Sequence, residues 1–336
     1  RLECPEGVKL HELALARLRL HVSAEASVAY TVYELLCNNV QSILLRGIGA
    51  DGSQGEVHAS CELHPVGFED EEGLLPYPRQ AFLPYRTLQE YFVFPEKYLF
   101  LDLSGLEALG GTEWERGVEV VVLVSPFERA DRAEVLESGV SARTFRLGCT
   151  PIVNLFQRSS EPILLSHKRQ EYPIVADARR RDSTRIYSVD DVSPVGSAKA
   201  RSIRFQPLYS LRHGFGDERR VLWYARRRHL PWAEQGTTDV AVSFVDRDAR
   251  MVLPDLDAVS ARLTCFNGDL PSQLPFGTVE GDFEMPGGGP VARVSALVKP
   301  TATIEPPLGK SLLWRLISQL SLNYVSLVEG GPEALQ

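Results

Sequence analysis

From Thr144 onward the chain breaks into short runs of β-branched and aromatic residues, set apart by Pro, Gly and Asp. The runs are Thr144–Leu147, Pro162–Leu165, Tyr172–Val175, Arg185–Val189, Val221–Ala225, Val240–Val245, Ala261–Cys265 and Val291–Val298. This punctuation predicts an antiparallel sheet or a sandwich. Pro286-Gly287-Gly288-Gly289-Pro290 reads as a flexible break between the last two runs.

The part before Thr144 has a different grain. Leu13, Leu15, Leu18 and Leu20 lead as a strand into His21, and Ser23 is placed to cap a helix over EASVAYTVYELLCNN. Val28, Val32, Leu35 and Leu36 recur there at helical spacing. VQSILLR follows as a strand, then a loop of turn formers, Gly47 to Gly55. Pro84 suits a helix start and Pro95 a stop, so a helix of about three turns is expected between them, with Leu88, Tyr91 and Phe92 on one face. KYLFLDL and GVEVVVLV read as strands, the second buried on both sides. The Leu74–Leu103 segment carries Tyr77, Phe82, Tyr85, Tyr91, Phe92, Phe94, Tyr98 and Phe100. Aromatic rings bury large areas, so most of these are expected inside.

The last element is amphipathic. After Pro306-Pro307-Leu308-Gly309, residues Leu312, Leu313, Leu316, Ile317, Leu320, Tyr324 and Leu327 follow the i, i+3, i+4 rule, and Gly330-Gly331 ends the helix. Its stripe is expected to pack on the β-rich core. Trp314 and Arg315 lie off that stripe, which makes them candidates to anchor a partner. The expected fold is therefore α+β and β-rich: a mixed α/β domain over 1–143, an antiparallel β-rich domain over 144–300, and a C-terminal helix over 301–336 packed on the latter.

Charge and cysteine usage narrow the function. The 336 residues carry a formal net charge of −8, which argues against a nucleic-acid partner. From His167 to His229, however, 15 Lys and Arg stand against 7 Asp and Glu, a local +8. Within that stretch Arg226, Arg227 and Arg228 are candidates to meet an acidic surface of a neighbouring subunit, and Arg179-Arg180-Arg181 is a second run of the same kind. Five cysteines without a CxxC pair suit a reduced, cytoplasmic protein. No apolar run reaches the roughly 18 residues of a membrane span. The opening at Arg1 is already patterned, as in an internal piece of a longer protein.

No catalytic constellation stands out. GIGADGSQG lacks the Lys-Ser/Thr of a phosphate loop and a strand–helix frame. His58, Cys61 and His64 are spaced i, i+3, i+6, without a metal-binding motif. Cys149, in RLGCTPIVNLF, is the one thiol a noncontiguous hydrolytic site would use, but no signature surrounds it. The acidic run Glu69–Glu72 reads as a solvated turn. No cofactor and no metal is expected.

Three stretches, LLPYPRQAFLPYRTLQEYFVFPEKYLFLDLSGL, FRLGCTPIVNLFQRSSEPILLSHKRQEYPIVAD and PPLGKSLLWRLISQLSLNYVSL, resemble the TssF family, a baseplate subunit of the bacterial type VI secretion system. LRLHVSAEASVAYTVYELL and CFNGDLPSQLP support the likeness in the same order. Ala176 departs from it, at a position where members often carry Pro. The resemblance implies the middle and C-terminal part of a non-enzymatic structural protein. In that family two TssF copies and one TssG form a wedge, which joins TssK and TssE around a spike hub. The platform supports tail tube and sheath assembly, is related to phage tail wedges, and sits in the cytoplasm against the inner-membrane complex. The alternatives are a β-rich enzyme with a noncontiguous site around Cys149, or a ligand-binding module using exposed Trp and Tyr.

Overall fold

Period-2 alternation and tight turns build two antiparallel sheets from the first 153 residues. Their elements are β1 (Leu2–Glu3), β2 (Arg17–Val22), α1 (Ala26–Asn38), β3 (Val40–Ile48), β4 (Gln54–Val57), β5 (Glu62–Pro65), α2 (Pro84–Val93), β6 (Phe100–Ser104), β7 (Gly117–Val124), α3 (Ala130–Gly139) and β8 (Phe145–Arg146). One sheet runs β1-β7-β3-β4 and the other β5-β6-β2-β8. The computed structural model describes all residues except 78–81, 126–129, 167, 197–204, 209–220, 230–237, 247, 253, 288–290, 307, 309–310 and 323–336. The chain divides into two units, the first comprising Arg1–Val153 and Leu320–Gln336 and the second Asn154–Gln319.

In the first unit Ile43, Leu45 and Val118 of one sheet pack with Leu103 of the other, joined by Leu10, Leu106 and Leu109. α1 lays Val28, Ala29, Val32 and Leu36 against Val22, Leu99 and Leu101. Its N-cap is Glu25 rather than the expected Ser23. The Ser23 backbone is already engaged, since its N–H donates to the Thr144 carbonyl at 2.7 Å. That contact continues into β8, where Val22 faces Phe145 and His21 faces Arg146. The run Thr144–Leu147, expected to open the β-rich domain, therefore completes a sheet of the first unit. β7 is not buried on both sides throughout: Gly117 and Val118 at its start are buried, whereas Leu123 and Val124 at its end are exposed.

The glycines of the 47–55 loop have a packing role. Gly47 and Gly55 face each other across the β3–β4 hairpin, and Trp114 lies over both. A Cβ on either would come within 2.4 Å of the indole. This hairpin is a seat for a ring, not a phosphate loop.

α2 forms between the two prolines as expected, but its buried face is not the expected one. Arg86 and Glu90 are its buried residues, whereas Phe92 and Val93 are each 65% exposed. Of the eight aromatics in this segment only Tyr98 and Phe100 are buried. The cause is the 66–75 segment, whose backbone polar groups lack a ladder. Glu90 Oε1 accepts from the N–H groups of Leu74 and Leu75, both at 2.7 Å. Lys97 Nζ donates to Glu90 Oε2 and, at 2.8 Å, to the Gly67 carbonyl. Buried backbone groups must find partners, and here charged side chains supply them.

The second unit holds β9 (Phe156–Ser159), β10 (Ile163–Leu164), β11 (Tyr172–Pro173), β12 (Arg185–Pro194), β13 (Gln206–Pro207), β14 (Leu222–His229), β15 (Thr238–Val245) and β16 (Ala258–Phe266). One sheet orders as β10-β16-β12 with β9 also on β16; the other orders as β11-β15-β14-β13. All pairings are antiparallel except β13 with β14. Ile186, Val192, Val259, Leu263 and Cys265 of the first sheet share one core with Tyr172, Trp223, Val240, Val242 and Phe244 of the second. The fold is α+β and β-rich.

Two expectations change in this unit. The run Val291–Val298 makes one bridge, Val294 with Phe283, instead of a strand. Its backbone is diverted to Asp282, whose carboxylate accepts the N–H of Ala296 at 2.8 Å and those of Gly277 and Thr278 at 2.8 and 3.0 Å. The C-terminal helix is present over Leu312–Leu322, and none of its described stripe residues joins the core cluster of the β-rich unit. Leu313, Leu316 and Ile317 are exposed, and that core closes between its own sheets without them. Tyr324, Leu327, Gly330 and Gly331, like residues 288–290 of the glycine break, lie outside the described residues.

Candidate functional site

The three arginines 226–228 sit on β14, where side chains alternate between faces. They therefore do not act as one patch. Arg226 and Arg228 share a face and a partner: Glu171 Oε2 lies 2.9 Å from Arg228, and Glu171 Oε1 lies 3.9 Å from Arg226. Arg227 points the other way and is half-buried. Its guanidinium donates to the Ile186 carbonyl, to the Tyr187 carbonyl at 3.1 Å and to Thr238 Oγ1 at 2.9 Å. Burial lowers its pKa from the ordinary arginine value. Arg227 thus ties β14 to β12 and is corrected from contact residue to internal brace. Glu171 escaped sequence reasoning because it lies 55 residues before Arg226.

The Arg179–Arg181 run is arranged differently. It follows Asp177, a buried carboxylate whose Oδ1 accepts the N–H of Arg179 at 2.9 Å and of Arg180 at 3.3 Å. Asp177 Oδ2 pairs with Arg158 at 2.8 Å. The backbone bond from Arg179, and then the nearby guanidinium of Arg158, hold this carboxyl below the usual carboxylate range. The Thr184 N–H closes the turn on the Arg180 carbonyl at 2.8 Å. All three arginines are exposed, and among the described residues no carboxylate stands within 4.0 Å of their guanidinium groups.

Trp314 is 73% exposed on the C-terminal helix, beside exposed Leu313, Leu316 and Ile317. Arg315 is exposed on the same helix. Core packing of Trp314 is thus excluded among the described residues.

The groups considered for chemistry are dispersed. Burial raises the Cys149 thiol above its ordinary pKa, with Arg146 opposing, and its Sγ lies 3.6 Å from the Leu147 carbonyl. A thiol so placed is mostly protonated near neutral pH, the reverse of a nucleophilic cysteine. Cys61 packs against the apolar core of the first unit, while His58 and His64 are exposed and His64 pairs with Glu62 at 3.2 Å. No group of three or more His, Cys, Asp or Glu among the described residues is arranged to hold a metal ion. No helix among them is long and apolar enough to cross a membrane. The Glu69–Glu72 run is a structural turn: Glu72 Oε2 accepts the Gly67 N–H at 2.6 Å, and Glu72 Oε1 meets Arg19 at 3.1 Å.

Comparison with known proteins places these surfaces in context. The family model "Type VI secretion system, TssF" matches residues 1–336. Type VI secretion system component TssF1 of Pseudomonas aeruginosa is 34% identical over 346 residues, which cover 99% of this chain and 54% of that protein. A chain of the TssK-TssF-TssG baseplate subcomplex, solved by cryo-electron microscopy, superposes with a TM-score of 0.68 at 26% identity. That match covers 97% of this chain and 57% of the other. The chain spans about half the length of the relatives it matches. The chain belongs to the type VI secretion system TssF family.

Proposed function

We propose that this chain serves as the part of a TssF subunit that holds neighbouring proteins in the baseplate wedge. The observation that carries this reading is the superposition of nearly the whole chain on a member of a TssK-TssF-TssG subcomplex. TssG and TssK are its partners in this reading. A second TssF copy and TssE complete the wedge, which supports tail tube and sheath assembly on the cytoplasmic side of the inner-membrane complex.

Trp314 and Arg315 are the proposed anchors, with Arg226 and Arg228 as peripheral charged contacts. Support comes from the exposed apolar residues around Trp314, since a large solvated patch marks an interaction site and Trp and Arg are enriched among residues that dominate binding. Arg226 and Arg228 already share Glu171, so each contributes less to a partner than an unpaired arginine. The test is co-expression of the TssF protein containing this chain with TssG and TssK, followed by co-purification. A stable complex is expected. Trp314→Ala should reduce its yield while leaving the melting midpoint of the isolated subunit in place. A fall of several degrees in that midpoint rules out the anchor role.

A further inference from the structure

Within the baseplate reading, on which this inference rests, we propose that the Arg179–Arg181 turn is a preformed docking site for a carboxylate-rich surface of a neighbouring protein subunit. Three features of the turn converge on this. The first is that its cations form no ion pair within 4.0 Å among the described residues, although the charge of Arg180 adds to the field that holds Asp177 low. Arg226 and Arg228 are committed to Glu171, and Arg227 to backbone carbonyls of β12, but the guanidinium groups of Arg179, Arg180 and Arg181 meet no carboxylate among the described residues.

The second feature is preorganisation. The turn is fastened at its start by buried Asp177 and at its end by the Thr184–Arg180 bond. Arg158 neutralises Asp177 from behind, and Glu161 Oε1 accepts the Ala178 N–H at 3.3 Å. Binding then orders side chains on a backbone that is already set, which reduces the entropy lost on association.

The third feature is the chemistry of the site. Arginine forks match carboxylates in bidentate geometry, and such pairs favour defined partners over diffuse attraction. Arg158, Glu161, Asp177, Arg179 and Arg180 line one shallow cleft. Its cations alternate with the carboxylates of Glu161 and Asp177, a mixed lining that suits a protein surface presenting acidic residues to the arginine tips better than a continuous polyphosphate. A protein partner is also what a baseplate subunit requires. The sequence separates this run from Arg226–Arg228 only by position; the structure separates them by what each has left to offer.

The test uses the TssF protein containing this chain and purified TssK–TssG complex as the probe. Binding is measured between about 50 mM and 1 M salt, where the Debye length falls from roughly 14 to 3 Å. The triple variant R179E/R180E/R181E should bind at least about tenfold more weakly at low salt, chiefly through slower association, and the gap should close at high salt. The neutral variant R179A/R180A/R181A should fall between, and both should keep the wild-type melting midpoint. R226E/R228E should change binding less. If the wild type binds and both triple variants bind equally well at low salt, the docking site is wrong and the baseplate reading stands. If the wild type fails to bind at any salt, the baseplate reading falls and the docking site with it. A labelled DNA duplex retained by the wild type and released by the triple variants, with TssK–TssG binding unchanged, assigns the turn to phosphate and overturns the proposal.

Discussion

α1 and α2 are two helices of the same unit that solve the problem of burial in opposite ways. α1 turns Val28, Ala29, Val32 and Leu36 inward, as its periodicity prescribes. α2 turns Arg86 and Glu90 inward and leaves Phe92 and Val93 in solvent. The difference lies in what each covers. α1 lies on strand side chains, whose backbones are already paired. α2 lies on a segment where the Leu74 and Leu75 N–H groups and the Gly67 carbonyl are met instead by the Glu90 carboxylate and the Lys97 ammonium. Hydrophobicity decides a helix face only where the surface beneath it has no unmet hydrogen bonds.

The largest test of this contrast is Glu90→Gln. It leaves Lys97, which is 2% exposed, without its counter-charge, and should cost about 3–5 kcal/mol in urea unfolding. The double variant E90L/K97M should recover only part of that loss. The charges are then gone, but the Leu74 and Leu75 N–H groups and the Gly67 carbonyl remain unmet. Full recovery would show that the backbone segment needs no partner and would dissolve the distinction between the helices.

On the α1 side, Leu36→Ala removes an ordinary core contact and should cost about 2–3 kcal/mol by the same measurement. A loss at the upper end of that for Glu90→Gln is unexpected, because no charge or polar group is stranded when three apolar carbons are deleted.

Acidification should separate the charged and apolar surroundings further. Burial lowers the His21 pKa, so the folded state resists its protonation. Stability should fall as pH drops below the ordinary histidine value of about 6.5, and His21→Phe should flatten that slope. Asp102 titrates lower. A hydrogen bond from Arg19 holds its carboxyl below the usual range, so its contribution is present above about pH 3.9 and is lost as pH falls through the folded value. Arg19→Gln should shrink that second decline, with Arg17 still 3.4 Å from Asp102, and leave the first.

The smallest expected effect is the most pointed. Phe92→Ala should change stability by less than about 0.5 kcal/mol, since the ring is largely solvated. A loss of about 3–5 kcal/mol, as for a buried ring, would restore the apolar face read from the sequence and undo the comparison.

Much of the architecture was legible in advance. The patterns over EASVAYTVYELL, VQSILLR, GVEVVVLV and the runs of the second unit mark α1, β3, β7, β10, β11, β12, β14, β15 and β16 within a few residues. β1, β4, β5, β9, β13 and α3 carry no such signal. Five of the six are four residues or shorter, and α3 has little apolar periodicity over ADRAEVLESG. The pattern marks β14 only to Ala225, because three consecutive arginines do not look like a strand. They belong to one because β15 pairs with Arg226, Arg227 and Arg228 residue by residue. Of the candidate contacts, Trp314 is exposed together with stripe residues of its own helix, so its exposure does not set it apart from them, and the internal role of Arg227 has no signal in its own neighbourhood.

The family is legible in the stretches that resemble it, and the β-rich class and the position of most elements in periodicity and turn residues, which act over a few positions along the chain. Which charges are paired within the chain is settled in three dimensions. Glu171 meets Arg226 and Arg228, Glu90 meets Lys97 beneath a backbone segment, and Arg179, Arg180 and Arg181 are left facing water. Charge pairing acts through distances of 3–4 Å in space, and those distances exist only once strands far apart in the chain have been brought side by side.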